Sequence, residues 1–270
     1  MKLLLLDERY PRGLLAGFEV VSTPQEDVVA VLTMPEHPVG EELAAQLPAL
    51  RVVGTATVGF DHVHVPPHVE VVSVPDYCTE EVADHTLALL FALLRGVVAF
   101  QSLPWSSTAA GPLRTVRGLR VGIVGLGRIG SAVAERLRAL RAEVRAHDIR
   151  PIPGNVPLDE LLGWADAVSL HVPLDDSTRG LIDIEAMRHG ALLVNTSRGP
   201  VVDLDAVLVA LRSGRLGGAA LDVLPVEPPP ERPAAPNLIV TPHAAYYSPA
   251  AEERAYRLCV ERVRAVLAES

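Results

Sequence analysis

The sequence predicts an α/β protein made of two doubly wound parallel-sheet domains with a cleft between them, and three observations predict it. Short apolar runs alternate with helix-length segments along the chain, the pattern of buried parallel strands joined by crossover helices. The chain holds 270 residues, enough for two domains of ordinary size. The βα series is interrupted once, by a Pro-, Ser-, Gly- and Ala-rich stretch at 102–117 that reads as an interdomain linker.

Composition narrows the function classes. Lys and Arg number 24 against 33 Asp and Glu, for a net charge of −9, and the arginines are scattered along the sequence. No basic stripe offers a footprint for a phosphate backbone, so nucleic acid is not an expected ligand. Two cysteines, Cys78 and Cys259, are too few for a disulfide framework or a Cys-rich zinc site. The opening apolar run ends at Asp7, Glu8 and Arg9, too soon for a signal peptide, and no run approaches the ~18 apolar residues of a membrane span. A soluble, cytoplasmic protein is expected.

In the first half, strands are expected at 2–6, 28–32, 51–54 and 69–74, with a helix at 41–47 closed by Pro48. A long helix follows at 79–99. Thr79 suits its N-cap, and Glu80 and Glu81 suit a first turn whose partial positive charge favours carboxylates. Its leucines occupy more than one face, so it should be buried between domains or subunits. Beyond the linker, strands are expected at 120–124, 143–147, 167–171, 191–195, 219–223 and 238–241. Helices are expected at 128–140, 158–165, 184–189 and 205–213, and a charge-laced helix at 249–269 is expected to return to the first domain.

Gly125-Leu126-Gly127-Arg128-Ile129-Gly130 follows one of these strands and opens a helix. In that setting G-x-G-x-x-G is a dinucleotide fingerprint: the glycines permit the turn and close backbone approach, and the helix N-terminus faces the pyrophosphate. Asp148 ends the next apolar run, near the ~20-residue spacing of the carboxylate that reads a ribose diol. NAD is therefore the expected cofactor, although Arg150 would recruit a 2′-phosphate if it turned inward, and a plain surface Asp at a strand end is the dull competitor. Pro151, Pro153 and Pro157 crowd the next ten residues, too few for a crossover helix and strand, so an extended loop should replace a lost element.

Arg198, Glu227 and His243 each lie just beyond an apolar run in the last third. Ligands of open α/β sheets bind past the carboxyl ends of strands. An anion fork, a carboxylate and an imidazole at such a place suit proton-coupled chemistry on a small acid. Each residue alone has a bland reading, and only their joint order carries weight. His62, His64 and His68 lie close together on a Val/Pro-rich loop without convincing metal-ligand spacing, so no metal is expected. His85 reads as a packing or hydrogen-bonding residue.

Residues 121–130, Leu170-His171-Val172-Pro173-Leu174, Asn195 through Asp203, 218–223 with Glu227-Pro228, and Thr241-Pro242-His243 together resemble the D-isomer-specific 2-hydroxyacid dehydrogenases. Val74 through His85 and Thr241 through Ser248, with Trp105 and Ala109 through Leu113, resemble the C-terminal-binding-protein-like branch. The resemblance implies two Rossmann-like or flavodoxin-like domains: 1–98 with 248–270 for substrate and 99–247 for NAD. It implies a homodimer that interconverts a 2-keto and a D-2-hydroxy acid.

The resemblance also assigns roles. Arg198 would clamp the substrate carboxylate and carbonyl as a planar fork. His243 would act as general acid and base, and Glu227 would orient its ring and favour the protonated form. Val58 and Gly59 would offer backbone N–H groups to the carboxylate. Gly125, Gly127, Arg128, Ile129, Gly130, Asp148, His171, Val172, Pro173, Thr178, Thr196, Asp222 and His243 would line the cofactor, with Asp222 on the nicotinamide amide. Because that branch includes transcriptional corepressors, an NAD(H)-sensing binding protein is the alternative.

Overall fold

A computed structural model describes residues 1–269. The chain divides into two compact units, Met1–Cys78 together with the segment from Tyr247 onward, and Thr79–Tyr246.

The first unit is a five-stranded parallel sheet in the order β2-β1-β3-β4-β5. Its strands are β1 (Lys2–Leu5), β2 (Glu19–Val21), β3 (Val28–Thr33), β4 (Val52–Thr55) and β5 (Glu70–Val72). The edge strand β2 is absent from the sequence expectation, because its Glu-Val-Val run is too short to show a period. The helix α1 (Glu41–Ala45) covers a cluster around Leu4, Val31, Leu47 and Val53. The other layer is the carboxyl-terminal helix, Pro249–Ala268, which packs on β4 and β5 through Cys259 and Val263 as the sequence predicts. Ser248 caps it by accepting the Ala251 N–H, and Pro249 occupies its first position, where a missing N–H costs nothing.

The second unit is a six-stranded parallel sheet in the order β11-β10-β9-β8-β6-β7. Its strands are β6 (Arg120–Val124), β7 (Glu143–His147), β8 (Ala167–Leu170), β9 (Ala191–Asn195), β10 (Leu216–Leu221) and β11 (Leu238–Val240). The helices α2 (Thr79–Leu94) and α3 (Arg128–Ala139) pack on one face, and α4 (Leu158–Trp164) and α5 (Leu204–Ser213) on the other. Both faces are thus covered, as all-parallel sheets require. The direction of winding reverses between β6 and β8, and ligands of such sheets bind past the strand ends at that point. The loop after Asp148 reaches α4 directly and pairs with β7 through an isolated Ala146–Asn155 bridge instead of a further strand.

Three expectations change. The 79–98 segment was expected with the first domain, whereas α2 packs on α3, β9 and β10 of the second unit, so the division falls at Cys78 and Thr79. That helix also stops at Leu94, five residues short of the expectation, because Gly96 turns the chain at φ +61°. No helix forms at 184–189. The side chain of Asp183 takes the Glu185 N–H, and Arg215 takes the carbonyls of Glu185 and Met187 that a helix would need. Among the described residues, no helix is long and apolar enough to cross a membrane.

Candidate active site

The turn after β6 is shaped by its glycines. Gly125 adopts φ +89°, and a Cβ there would lie 2.6 Å from the His171 carbonyl oxygen. A Cβ on Gly130 would lie 2.0 Å from the Gly125 oxygen, so only hydrogen lets α3 start this close to the strand. Gly127, at the N-cap of α3, faces open space. Arg128 and Ile129 form the first turn of α3, whose N–H groups are therefore approachable by a pyrophosphate.

Asp148 is buried just past β7, where its carboxylate accepts the Leu126 N–H at 2.8 Å and so ties the glycine turn to the neighbouring strand. Arg150 folds onto it, with Nε 2.9 Å from Oδ1 and Nη2 2.9 Å from Oδ2. Hydrogen bonds from the Arg150 guanidinium, and from backbone N–H groups against the opposing effect of burial, hold this carboxyl far below the usual range. Arg150 itself is 61% exposed, and an ion pair so open to water contributes little, so ribose hydroxyls can replace the guanidinium.

Across the crevice, the Ser169 hydroxyl sits 2.8 Å from Nε2 of His171, while His171 Nδ1 is shut from solvent with no hydrogen-bond partner. Burial lowers the His171 pKa to about 3, so the ring is neutral. An unmatched polar atom beside a glycine cradle, a helix N-terminus and the Asp148 carboxylate fits a bound dinucleotide. His171, Val172 and Pro173 lie at this crevice. Thr178 is spent differently. It is buried, donates to the Pro173 carbonyl at 2.7 Å and accepts the Asp175 N–H at 2.8 Å, so it shapes the loop instead of offering its hydroxyl to a cofactor.

The second half of the site rests on three post-strand loops of the same sheet. After β9, buried Asn195 accepts the Ser197 N–H and hydroxyl, and its amide donates to the Arg198 carbonyl at 2.9 Å, folding the turn that presents Arg198. Gly199 lets this turn touch the loop after β10, since a Cβ there would lie 2.1 Å from the Leu224 carbonyl carbon. In that second loop the Leu224 N–H donates to Glu227 Oε1 at 2.6 Å. The other oxygen, Oε2, lies 2.7 Å from His243 Nδ1. Burial alone would raise the Glu227 pKa, but hydrogen bonds from His243 and Leu224 outweigh it and hold the group ionised.

His243 follows β11 with φ +52°, a left-handed conformation that costs a non-glycine residue energy and needs holding in place. Asp222 supplies much of that hold. Its backbone carbonyl accepts the His243 N–H at 2.8 Å. Its buried carboxylate accepts the Ala244 and Ala245 N–H groups and the Thr241 hydroxyl. Burial would raise the Asp222 pKa, yet these bonds, together with His85, bring it down to about 2. Asp222 is thus first the hub of the His243 turn, and Oδ2 retains a lone pair for a cofactor amide.

Arg198, Glu227 and His243 line one cavity of about 220 Å³, with Leu174, Val223, Leu224 and Pro225 as apolar walls. Thr196 is buried next to Arg198's turn and its hydroxyl meets that of Thr86 on α2 at 3.0 Å. Val58 and Gly59 lie in the first unit, in a turn after β4 where the Thr57 hydroxyl donates to the Gly59 carbonyl at 2.6 Å. Asn195 and Thr241 stand in the motifs quoted above but without a role, and Thr86 has no sequence signal beyond its place on a helix face; the structure makes all three site-forming. Among the described residues, no group of three His, Cys, Asp or Glu side chains is placed to hold a metal ion.

Residues 86–245 match the family model described as the D-isomer specific 2-hydroxyacid dehydrogenase NAD binding domain. A glycerate dehydrogenase of Methylorubrum extorquens is 33% identical, covering 93% of this chain and 88% of its own. A glyoxylate reductase of Thermofilum pendens is 35% identical, covering 89% and 79%. The structure of D-lactate dehydrogenase from Aquifex aeolicus, complexed with NAD and lactic acid, superposes with a TM-score of 0.85 at 27% identity, covering 100% of this chain and 96% of that one.

Proposed function

The chain belongs to the D-isomer specific 2-hydroxyacid dehydrogenase family, and from that premise we propose that it is an NAD-dependent oxidoreductase interconverting a small 2-keto acid and its D-2-hydroxy acid. The observation that carries this reading is the meeting of Arg198, Glu227 and His243 in one cavity of the sheet whose switch point fits a dinucleotide.

When bound, NADH supplies the hydride that adds to the carbonyl carbon, or NAD accepts it in the reverse direction. Arg198 takes the substrate carboxylate with its planar, permanently charged fork. Glu227 accepts from Nδ1 of His243, so Nε2 is the nitrogen left to exchange a proton with the substrate oxygen. In reduction His243 gives that proton as the oxygen gains charge, with Glu227 holding the ring through Nδ1. The relatives' names, glycerate dehydrogenase and glyoxylate reductase, support substrates of glyoxylate or hydroxypyruvate size. The reading extends to a homodimer, supported by exposed apolar side chains at Val97, Val98, Leu103 and Trp105 and testable by sedimentation mass.

The test is NADH and NADPH oxidation with glyoxylate, hydroxypyruvate, pyruvate and bulkier keto acids, with His243→Ala alongside. Turnover of a small keto acid with NADH is expected. His243→Ala should lower kcat by at least about 100-fold, the scale of general acid–base catalysis, with NADH affinity nearly unchanged. Tight NADH binding with no turnover of any acid would overturn the reading in favour of an NAD(H)-sensing protein.

A further inference from the structure

The turn that carries His243 is held from a second direction. Strand register puts Asn195, Leu221 and Val240 side by side on β9, β10 and β11, so Thr196, Asp222 and Thr241 leave the sheet at one level. The helix α2 crosses these strands on one face, with Leu93 against Gly218 on β10 and His85 at Asp222 and Thr241. Eight residues of helix rise about 12 Å and four of strand about 13 Å, so α2 runs antiparallel to β10 and its amino-terminal half meets the carboxyl edge of the sheet. Two successive residues there touch the site loops. Thr86 bonds Thr196, and His85 Nε2 lies 3.2 Å from Thr241 Oγ1 and 3.5 Å from Asp222 Oδ1.

The hydrogens in this cluster can be assigned. Thr241 has a single hydroxyl proton, and at 2.6 Å from an ionised carboxylate that proton goes to Asp222. Towards His85, Thr241 Oγ1 is therefore an acceptor, and Nε2 of His85 carries the hydrogen in either charge state of the ring. His85 completes a chain from α2 through Thr241 and Asp222 to the backbone of His243, a residue in a conformation that needs external support.

We propose that His85 is a positioning residue for His243: its Nε2–H fixes the Thr241–Asp222 pair, and through that pair the left-handed turn that aims the catalytic imidazole. This rests on the reaction proposed above. His85 Nε2 reaches Thr241 and Asp222, and the Gly125–Asp148 end of the cofactor crevice lies on other strands, so its removal acts first on the turn.

The experiment compares His85→Leu, which keeps bulk and removes the donor, with His85→Gln, which restores an N–H. His85→Leu should lower kcat about tenfold, the factor matching the net loss of one hydrogen bond, with KM and the NADH dissociation constant within about twofold. His85→Gln should return kcat to within about threefold of the parent. Thr241→Val should produce the same loss, and the double variant His85→Leu with Thr241→Val should be no worse than either single one. Ring 15N resonances of His243, recorded in the free protein, should shift in His85→Leu and return in His85→Gln. Unchanged kcat and resonances in His85→Leu would overturn the proposal, as would a Gln variant as impaired as Leu or a loss confined to NADH affinity. If the parent protein reduces no keto acid, the proposed reaction fails, while the His243 resonances still decide the role of His85.

Discussion

Asp148 and Arg150 are paired at the end of β7, and in the proposed NAD site cofactor choice is expected to turn on which of them meets the ribose. In the structure the guanidinium covers the carboxylate and also reaches the Leu126 carbonyl at 3.1 Å. A 2′-hydroxyl can take the place of the guanidinium on Asp148, whereas a 2′-phosphate meets the carboxylate's charge. Asp148→Ala removes that repulsion and releases Arg150 to pair with a phosphate. The NADH-over-NADPH preference in kcat/KM should then narrow at least about tenfold, near the value of a charge-assisted hydrogen bond, as measured by initial rates with both cofactors. A variant with unchanged preference would remove Asp148 from cofactor selection. The position of Asp148 at a strand end was legible in the sequence, but whether Arg150 turned towards it depended on a loop with no periodicity to read.

Elements were legible where they were periodic and bounded. The strands of both sheets other than β2, and helices α3 and α5, follow their apolar patterns, and α5 also carries readable ends, with Asp203 capping it and Gly214 closing it at φ +76°. The helix at 184–189 failed because Arg215, distant in sequence, competes for its carbonyls. The loops after β9 and β10 meet at Gly199 against Leu224, a contact invisible in the order of residues. Gly199→Ala would force these loops apart and separate Arg198 from Glu227 and His243. Because the Cβ would strike backbone, a fall in kcat/KM of roughly 100-fold is expected from a displacement of about 1 Å, while NADH affinity, read by fluorescence titration, changes much less. Retention of parental kcat/KM would show that the two loops do not set the site.

Stability of the second unit carries the mark of the same buried groups. His171 is held neutral, with its pKa lowered from 6.5 to about 3 by burial. The unfolded chain takes up a proton below about pH 6.5 that the folded unit refuses, so stability is complete above that pH and falls as the solution is acidified towards pH 3. The loss between about pH 7.5 and about pH 5 should be on the order of 2 kcal/mol, read from urea unfolding midpoints, and His171→Gln should flatten it. Asp222 acts later. Its lowered pKa contributes stability above the unfolded value near 4 that is lost as pH falls through about 2.

At this scale the amino-acid order alone determined the α/β class, the glycine turn, the carboxylate of Asp148 past the next strand and the order of Arg198, Glu227 and His243, because each is written in local spacing and side-chain chemistry. Tertiary structure decided what local spacing cannot encode. It assigned α2 to the second unit, brought three loops to one cavity through strand register, turned Asp222 into the hub of the His243 turn, and gave His85 a partner 156 residues away. These are contacts between residues distant in sequence, fixed by how helices pack across a sheet, so no pattern within a single segment could announce them.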